Sequence, residues 1–354
     1  MLASRASSLP PTAPDPKRAL LERAVRHVRE VLTLAIEHEP AAPALIVWDA
    51  QSELARLLRA TYERCLPTAR SIEFDALAPA AILAAFEALP PRSLVVLIQS
   101  TSFRLDAYRI RLELFRRGLA VIEHPHLARI TGAEPEFYVD ALAYERDYYR
   151  NTGAALKERI DRARSAVIVS DGEQLCYSAG LEPAKLNVGD YRALTNRGGQ
   201  FPIGEVFTES KLLDAVSGRV RIAAFGDRRF EVNRPTPSPT LVIDRGRVID
   251  ALDSTPELDA VLATIRADER DIRLRELGFG LNRAFSPSRV VNDIGAFERM
   301  CGVHLSLGAK HATYPKPEID KSLARHHVDV FVATDSVWLD DERVFADGRW
   351  CVGG

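Results

Sequence analysis

Two residues at the head of an apolar run carry the sharpest chemical signal in this sequence. In ARHHVDVFVATDSVWLD, residues 324–340, the β-formers Val328, Val330, Phe331 and Val332 read as a strand, and His327 and Asp329 stand two apart at its start. Residues two apart on a strand share a face, so an imidazole and a carboxylate project together there. A charge on a covered face is costly unless it is paired or binds a metal. Four of the eight histidines, His304, His311, His326 and His327, fall within 24 residues. Two glutamates stand in similarly constrained settings. Glu205 of NRGGQFPIGEVFTES follows a backbone confined by Gly and Pro and precedes Val206 and Phe207. Glu276 of RLRELGFGLN precedes a Gly-x-Gly that permits close backbone packing. One such Glu alone reads as a solvent-exposed edge residue. Three carboxylates with two or three histidines, beside glycines or an apolar strand, instead suit Zn, Mn, Fe or Co, and thiolate ligation lacks the necessary cysteines. The remaining histidines are plainer. His27 and His38 lie on a charged helix, and His124 and His126 flank Pro125 past a strand end and read as loop residues.

These groups need a frame to hold them. Residues 17–38 carry Leu20, Leu21, Val25, Val28, Val31 and Leu32 at helical spacing. ALIVWD (44–49), SLVVLIQS (93–100) and GLAVIEHP (118–125) read as strands, with helices expected at SELARLLRATYERCL and over 104–117. That alternation predicts an α/β N-terminal domain with a parallel-type sheet and helices. No G-x-G-x-x-G follows these strands, so a dinucleotide site has no support. A helical stretch over 134–164 bridges to a second texture of short β-rich pieces parted by Gly, Pro and Asp turns. VIDRGRVID reads as a hairpin turning at Arg245-Gly246. The expected organisation is a loose Ser/Pro-rich tail over 1–16, an α/β domain over 17–160, and an α+β, β-rich metal-binding domain over 161–354.

Composition narrows the function classes. The chain has 354 residues, 46% of them apolar, enough for a substantial core. A net charge of −2 gives no reason to expect nucleic acid or an anionic membrane as partner. Four scattered cysteines form no CxxC pair, which fits a reducing cytoplasm. No apolar run approaches the roughly 20 residues that span a bilayer.

Four motifs, GGQFPIGEVFTES, ELGFGLN, GVHLSLGAK and HHVDVF, occur in the order and rough spacing of a known family. Over residues 165–340 the chain resembles the thermophilic-type dinuclear metalloaminopeptidases: aminopeptidase T, aminopeptidase S and their leucyl-aminopeptidase-like relatives. The resemblance implies that Glu205 is a metal ligand, that Glu276 is a ligand able to bridge two metals, and that His304, His327 and Asp329 complete the pair of sites. It implies two divalent ions (Zn, Co or Mn), a peptide or small-molecule substrate, and a homodimer. Glu205 or Glu276 would relay the proton. His326 points to the other strand face and reads as structural. The chain departs from the family at one place: seven residues after the His of H-x-x-x-G, where the family has a tyrosine, stands His311, with Tyr314 three further on. His311 is therefore an added ligand, a proton donor in place of the phenol, or a bystander.

The resemblance also extends to a pyridine-ring-opening dioxygenase with one iron. His304, His327 and Asp329 would supply its two-histidine, one-carboxylate Fe(II) pattern. That mononuclear non-haem iron enzyme, or a peptide-tailoring enzyme on the same scaffold, is the alternative. Retention of Glu205 and Glu276 favours the hydrolytic pair. A metal-free binding or scaffold role is disfavoured because all five ligand positions remain, and unpaired buried carboxylates destabilise a fold.

Overall fold

The computed structural model describes residues 15–105, 109–227, 229 and 231–353, so residues 1–14 of the expected tail lie outside the described residues. Asp15 caps helix α1 (Pro16–Glu30), its carboxylate accepting from the Lys17 amide at 3.1 Å, with Pro16 in the first turn. The α1 face carrying Ala24, Val25 and Val28 is buried, and Val31, Leu32 and Ala35 continue it through a wider final turn.

Strands β1 (Ala44–Trp48), β2 (Arg70–Glu73), β3 (Leu94–Ile98) and β4 (Ala120–His124) form a parallel sheet in the order β2-β1-β3-β4. Helices cover both faces, so the central strand β3 is buried along its whole length, as parallel sheets require. Helix α2 spans Glu53–Cys65, and on one side of the sheet Val95 and Leu97 pack with Ile82 and Phe86 of helix α3 (Pro79–Glu87). On the same side lie Ile110 and Leu114 of α4 (Ile110–Arg116). Leu94, Val96 and Ile98 face a larger core shared with α1, α2, α5 (Glu134–Ala141) and α6 (Arg146–Arg162). Among the described residues of the helix expected over 104–117, Ile110–Arg116 are helical, and the helix expected over 134–164 breaks at Leu142–Glu145.

The larger core continues onto a curled antiparallel sheet. Its strands are β5 (Ala166–Ser170), β6 (Glu173–Tyr177), β7 (Lys185–Asn187), then, after β8 (Arg197–Gln200), β9 (Glu205–Glu209), β10 (Val216–Gly226), β11 (Val232–Asn233), β12 (Thr240–Asp244), β13 (Arg247–Leu252), β14 (Leu274–Gly280), β15 (Gly302–Leu307), β16 (Val328–Val332), β17 (Ser336–Leu339), β18 (Glu342–Ala346) and β19 (Arg349–Trp350). The central path runs β6-β10-β16-β15-β14-β9-β7. β8 returns to the parallel sheet and pairs with β4. Arg245 and Gly246 both adopt positive φ (46° and 69°) in the β12–β13 hairpin, the geometry of a tight turn matched to strand twist. A helix that the β-rich texture concealed, α7 (Pro256–Glu269), is capped by the Thr255 hydroxyl, which accepts from the Leu258 amide at 3.3 Å. Among the described residues no helix is long and apolar enough to cross a membrane.

His124, expected in a loop, is the last residue of β4 and is fully buried. The Tyr138 hydroxyl donates to the Phe201 carbonyl at 3.0 Å, so it accepts from His124 Nδ1 at 2.8 Å, leaving Nε2 to accept from the Tyr62 hydroxyl at 2.7 Å. Burial pushes this imidazole down to about 3 from its ordinary 6.5. The folded protein therefore excludes a proton that the unfolded chain binds between those values, so this contribution is intact above pH 6.5 and lost as pH falls. Between about pH 6 and about pH 4 the unfolding free energy of the wild type should fall more steeply than that of His124→Gln, by up to about 1.4 kcal/mol per pH unit. Denaturant titrations measure both slopes, and parallel slopes would contradict the assignment.

Candidate metal centre

Four neighbouring strands, β9, β14, β15 and β16, present the candidate ligands. The pairing sets Glu209 opposite Glu276, Glu205 opposite Gly280, and His304 opposite Gly278 on one side and Phe331 on the other. Ser306 faces Asp329 and accepts a further tie, its hydroxyl taking the Glu276 amide at 2.9 Å. The Gly-x-Gly of β14 has a steric purpose. A Cβ at Gly278 would lie 2.0 Å from His304 Cε1, and one at Gly280 1.9 Å from the Met300 carbonyl oxygen. Glycine at 278 lets the His304 ring lie across β14 between two carboxylates. One extra residue on β14 between Leu274 and Leu277 makes a bulge, a device that re-aims side chains beside a site.

His304 Nε2 lies 3.2 Å from Glu205 Oε1 and 3.2 Å from Glu276 Oε1. His327 Nε2 lies 3.1 Å from Asp329 Oδ1. Glu205, Glu276 and His304 form one trio, and Glu276, His327 and Asp329 a second, with ligand atoms of each trio within 4.8 Å of one another. Glu276 belongs to both. The five residues expected to hold metal therefore converge on one face, while His304 and His327 fall in different trios. His311 also reaches this face, its Nε2 3.0 Å from Glu276 Oε2 and its side chain only 5% exposed. Tyr314 stands in the wall, its hydroxyl donating to the Pro183 carbonyl at 2.7 Å. His326 turns away and pairs with Asp268 at 2.7 Å.

The electrostatics follow from crowding buried acids against imidazoles. Burial alone would lower His304, but Glu205 and Glu276 outweigh it and hold the ring up at about 10. Burial likewise opposes protonation of His327, and the Asp329 charge raises it to about 10. Glu276 is held well below the carboxylate range, because its imidazole neighbours override the upward push of burial. Glu298 shows the reverse, driven well up by burial and by the charge of Asp329.

Several supporting residues escape sequence reading. Arg299 Nη1 lies 2.6 Å from Glu205 Oε2 and 2.7 Å from Glu298 Oε2, both supplied by the turn after the short helix α8 (Ile294–Phe297), where no periodicity marks them. Glu209 and Arg275 form a fully buried ion pair below His311. Glu209 had one legible sign, its place four residues after Glu205 on the same strand face. His327 Nδ1 donates to the Lys310 carbonyl at 3.0 Å, which leaves Nε2 facing the trio, an arrangement common to metal-binding histidines.

The donor set fits divalent cations. Three carboxylates and imidazoles that ligate when neutral offset two such charges. His304 Nδ1, Asp329 Oδ1 and both ring nitrogens of His311 are buried without a hydrogen-bond partner, although Asp329 Oδ1 and His311 Nε2 sit about 3 Å from other polar atoms. His311 Nε2 and Asp329 Oδ1 belong to the face that carries Glu276 and His327.

No family model and no curated protein matches the chain. Among solved structures, one titled wild-type AmpT from Thermus thermophilus aligns over 94% of this chain and 99% of that one, with a TM-score of 0.56 and 14% sequence identity. The fold resembles that of AmpT. At such identity the likeness is one of fold alone.

Two substitutions test the geometry. His327→Ala should strip metal from the protein while His326→Ala leaves the content near wild type, measured by elemental analysis after dialysis; equal losses would contradict the strand-face argument. Gly278→Ala should cost about 1–3 kcal/mol in denaturant unfolding, the range for overpacking, and weaken metal binding by displacing the His304 ring. Wild-type stability in that variant would contradict the proposed seat.

Proposed function

We propose that this chain is a metal-dependent hydrolase that releases N-terminal residues from peptides or peptide-like substrates. The observation that carries this reading is the pair of ligand trios sharing Glu276. The motif resemblance to aminopeptidase T and the fold likeness to AmpT support it. Glu205, Glu276 and His304 would hold one cation, and Glu276, His327 and Asp329 the other. Two divalent cations bound there supply Lewis acidity toward the scissile carbonyl, a lowered water pKa, and a partner for the substrate's free amine.

The protein's own groups divide the remaining work. Arg299 holds Glu205 by its outer oxygen, and the Ser306 hydroxyl accepts from the Glu276 amide and fixes the backbone that carries that carboxylate. His311 is the group left to move a proton. Its Nε2 lies beside Glu276, neither ring nitrogen has a hydrogen-bond partner, and it faces the site at the family's tyrosine position. Burial opposes its charge, but Glu209 and Glu276 raise its pKa above the ordinary 6.5, so the ring can carry a proton at Nε2 to a leaving amine near neutral pH. The single-iron alternative gains nothing from the geometry, since His304 and His327 belong to different trios.

Protein loaded with zinc, cobalt or manganese should release the first residue of free-amine tripeptides and leave their N-acetylated counterparts intact, followed by mass spectrometry. Equal cleavage of both, or none of a broad peptide mixture, would overturn the reading. His311→Gln should lower kcat by about 100-fold or more with metal content retained, in line with the loss of a proton-transfer group. Unchanged kcat would remove His311 from the mechanism.

A further inference from the structure

A second constellation lies at the carboxyl ends of β3 and β4 and shares no residue with the metal centre. Ser102 Oγ lies 2.9 Å from His126 Nε2, and His126 Nδ1 lies 3.0 Å from Asp293 Oδ1. Asp293 is 2% exposed and arrives from the turn before α8, with the Arg129 guanidinium 4.0 Å from the same oxygen. A buried carboxylate accepts from Nδ1–H, which turns Nε2 toward the Ser102 hydroxyl. That is the order of groups that activates a serine nucleophile, recognised by geometry rather than chain position.

The surroundings hold this order in place. His126 sits in the left-handed region at φ 58°, a cost that native structures tend to concentrate at functional sites. The loops after β3 and β4 are tied together by the Leu127 amide on the Gln99 carbonyl and the Ala128 amide on the Ser100 carbonyl, both at 3.0 Å. Ser102 lines an open cleft of ≈ 280 Å³ together with Phe103, Arg104, Arg109, Arg111 and Glu123, and Arg111 is paired with Glu123 at 2.5 Å. The Phe103 amide, one residue past the serine, already holds a carbonyl oxygen, Gln99 Oε1 at 2.7 Å. An acyl oxyanion would take that amide by displacing the Gln99 oxygen.

We propose that Ser102, His126 and Asp293 form an acyl-transfer site for activated esters that carry a negative charge, Arg104 and Arg109 of the cleft selecting the anion. Ser102 Oγ bonds to the ester carbon and its proton passes to His126 Nε2. The ester C–O bond then breaks, and the alcohol leaves with that proton. Water repeats the sequence on the acyl-serine, giving a carboxylic acid and free Ser102. Asp293 is a positioning residue, acting through the ring.

The test uses the full chain with chelator present, which separates this site from the metal reading. An alkyl fluorophosphonate should add to Ser102 with loss of fluoride, located by peptide mapping, with no adduct in Ser102→Ala. His126→Ala should slow labelling about 100-fold or more. Asp293→Asn should lower the maximal labelling rate while the half-saturating probe concentration stays constant, a split that a deformed cleft would not give. A 4-nitrophenyl ester bearing a carboxylate on its acyl chain should release 4-nitrophenol faster than its neutral counterpart. Labelling no greater than in Ser102→Ala, or unaltered in His126→Ala, would overturn the site, and equal ester rates would overturn the substrate class.

Discussion

Three carboxylates crowded onto one covered face of an antiparallel sheet repel one another, and much of the candidate site can be read as the answer to that repulsion. Glu276 is at its centre because it belongs to both ligand trios. Imidazoles flank it, and His304 is held up at about 10 by the charges it faces. Arg299 takes the outer oxygen of Glu205, and Arg275 neutralises Glu209 beneath. A buried ionic cluster of this kind is poor evidence of stability, since well-packed apolar side chains often serve a fold better. Cations held there would offset the charges that make such a cluster costly.

Placement of these groups depends on backbone register more than on any loop. Four of the five ligands sit on neighbouring strands and His327 directly precedes β16, so the hydrogen-bond ladder sets their spacing, and a slip of one residue would turn each set to the wrong face. Glycine at 278 makes the room that lets one imidazole serve two carboxylates. Helix α6 and the shared core tie this sheet to the parallel one, and β8 returns to pair with β4. The same junction brings Asp293 of the second half beside His126 of the first.

Much of this was legible in the sequence. Apolar runs marked β1, β3 and β4, and period-two alternation placed His327 and Asp329 together and sent His326 away. The Arg245-Gly246 turn announced its hairpin. Other features had no local signature. β8 is Arg-Gly-Gly-Gln, which no strand propensity favours, and it pairs through its backbone alone. Arg299 and Glu298 come from a turn, and the burial of Arg275 depends on partners distant in sequence. His124 lay beside a proline and read as a loop residue, whereas two tyrosines from separate helices enclose it. Long-range partners decide such cases, and a single sequence does not display them.

The measurement that bears most directly on the shared carboxylate is metal stoichiometry by mass spectrometry of the intact native protein, wild type beside Glu276→Gln. A residue common to both trios predicts two divalent ions per wild-type chain and the loss of both when that one carboxylate is neutralised. One iron per wild-type chain, or a Glu276→Gln protein that still carries two ions, would contradict it.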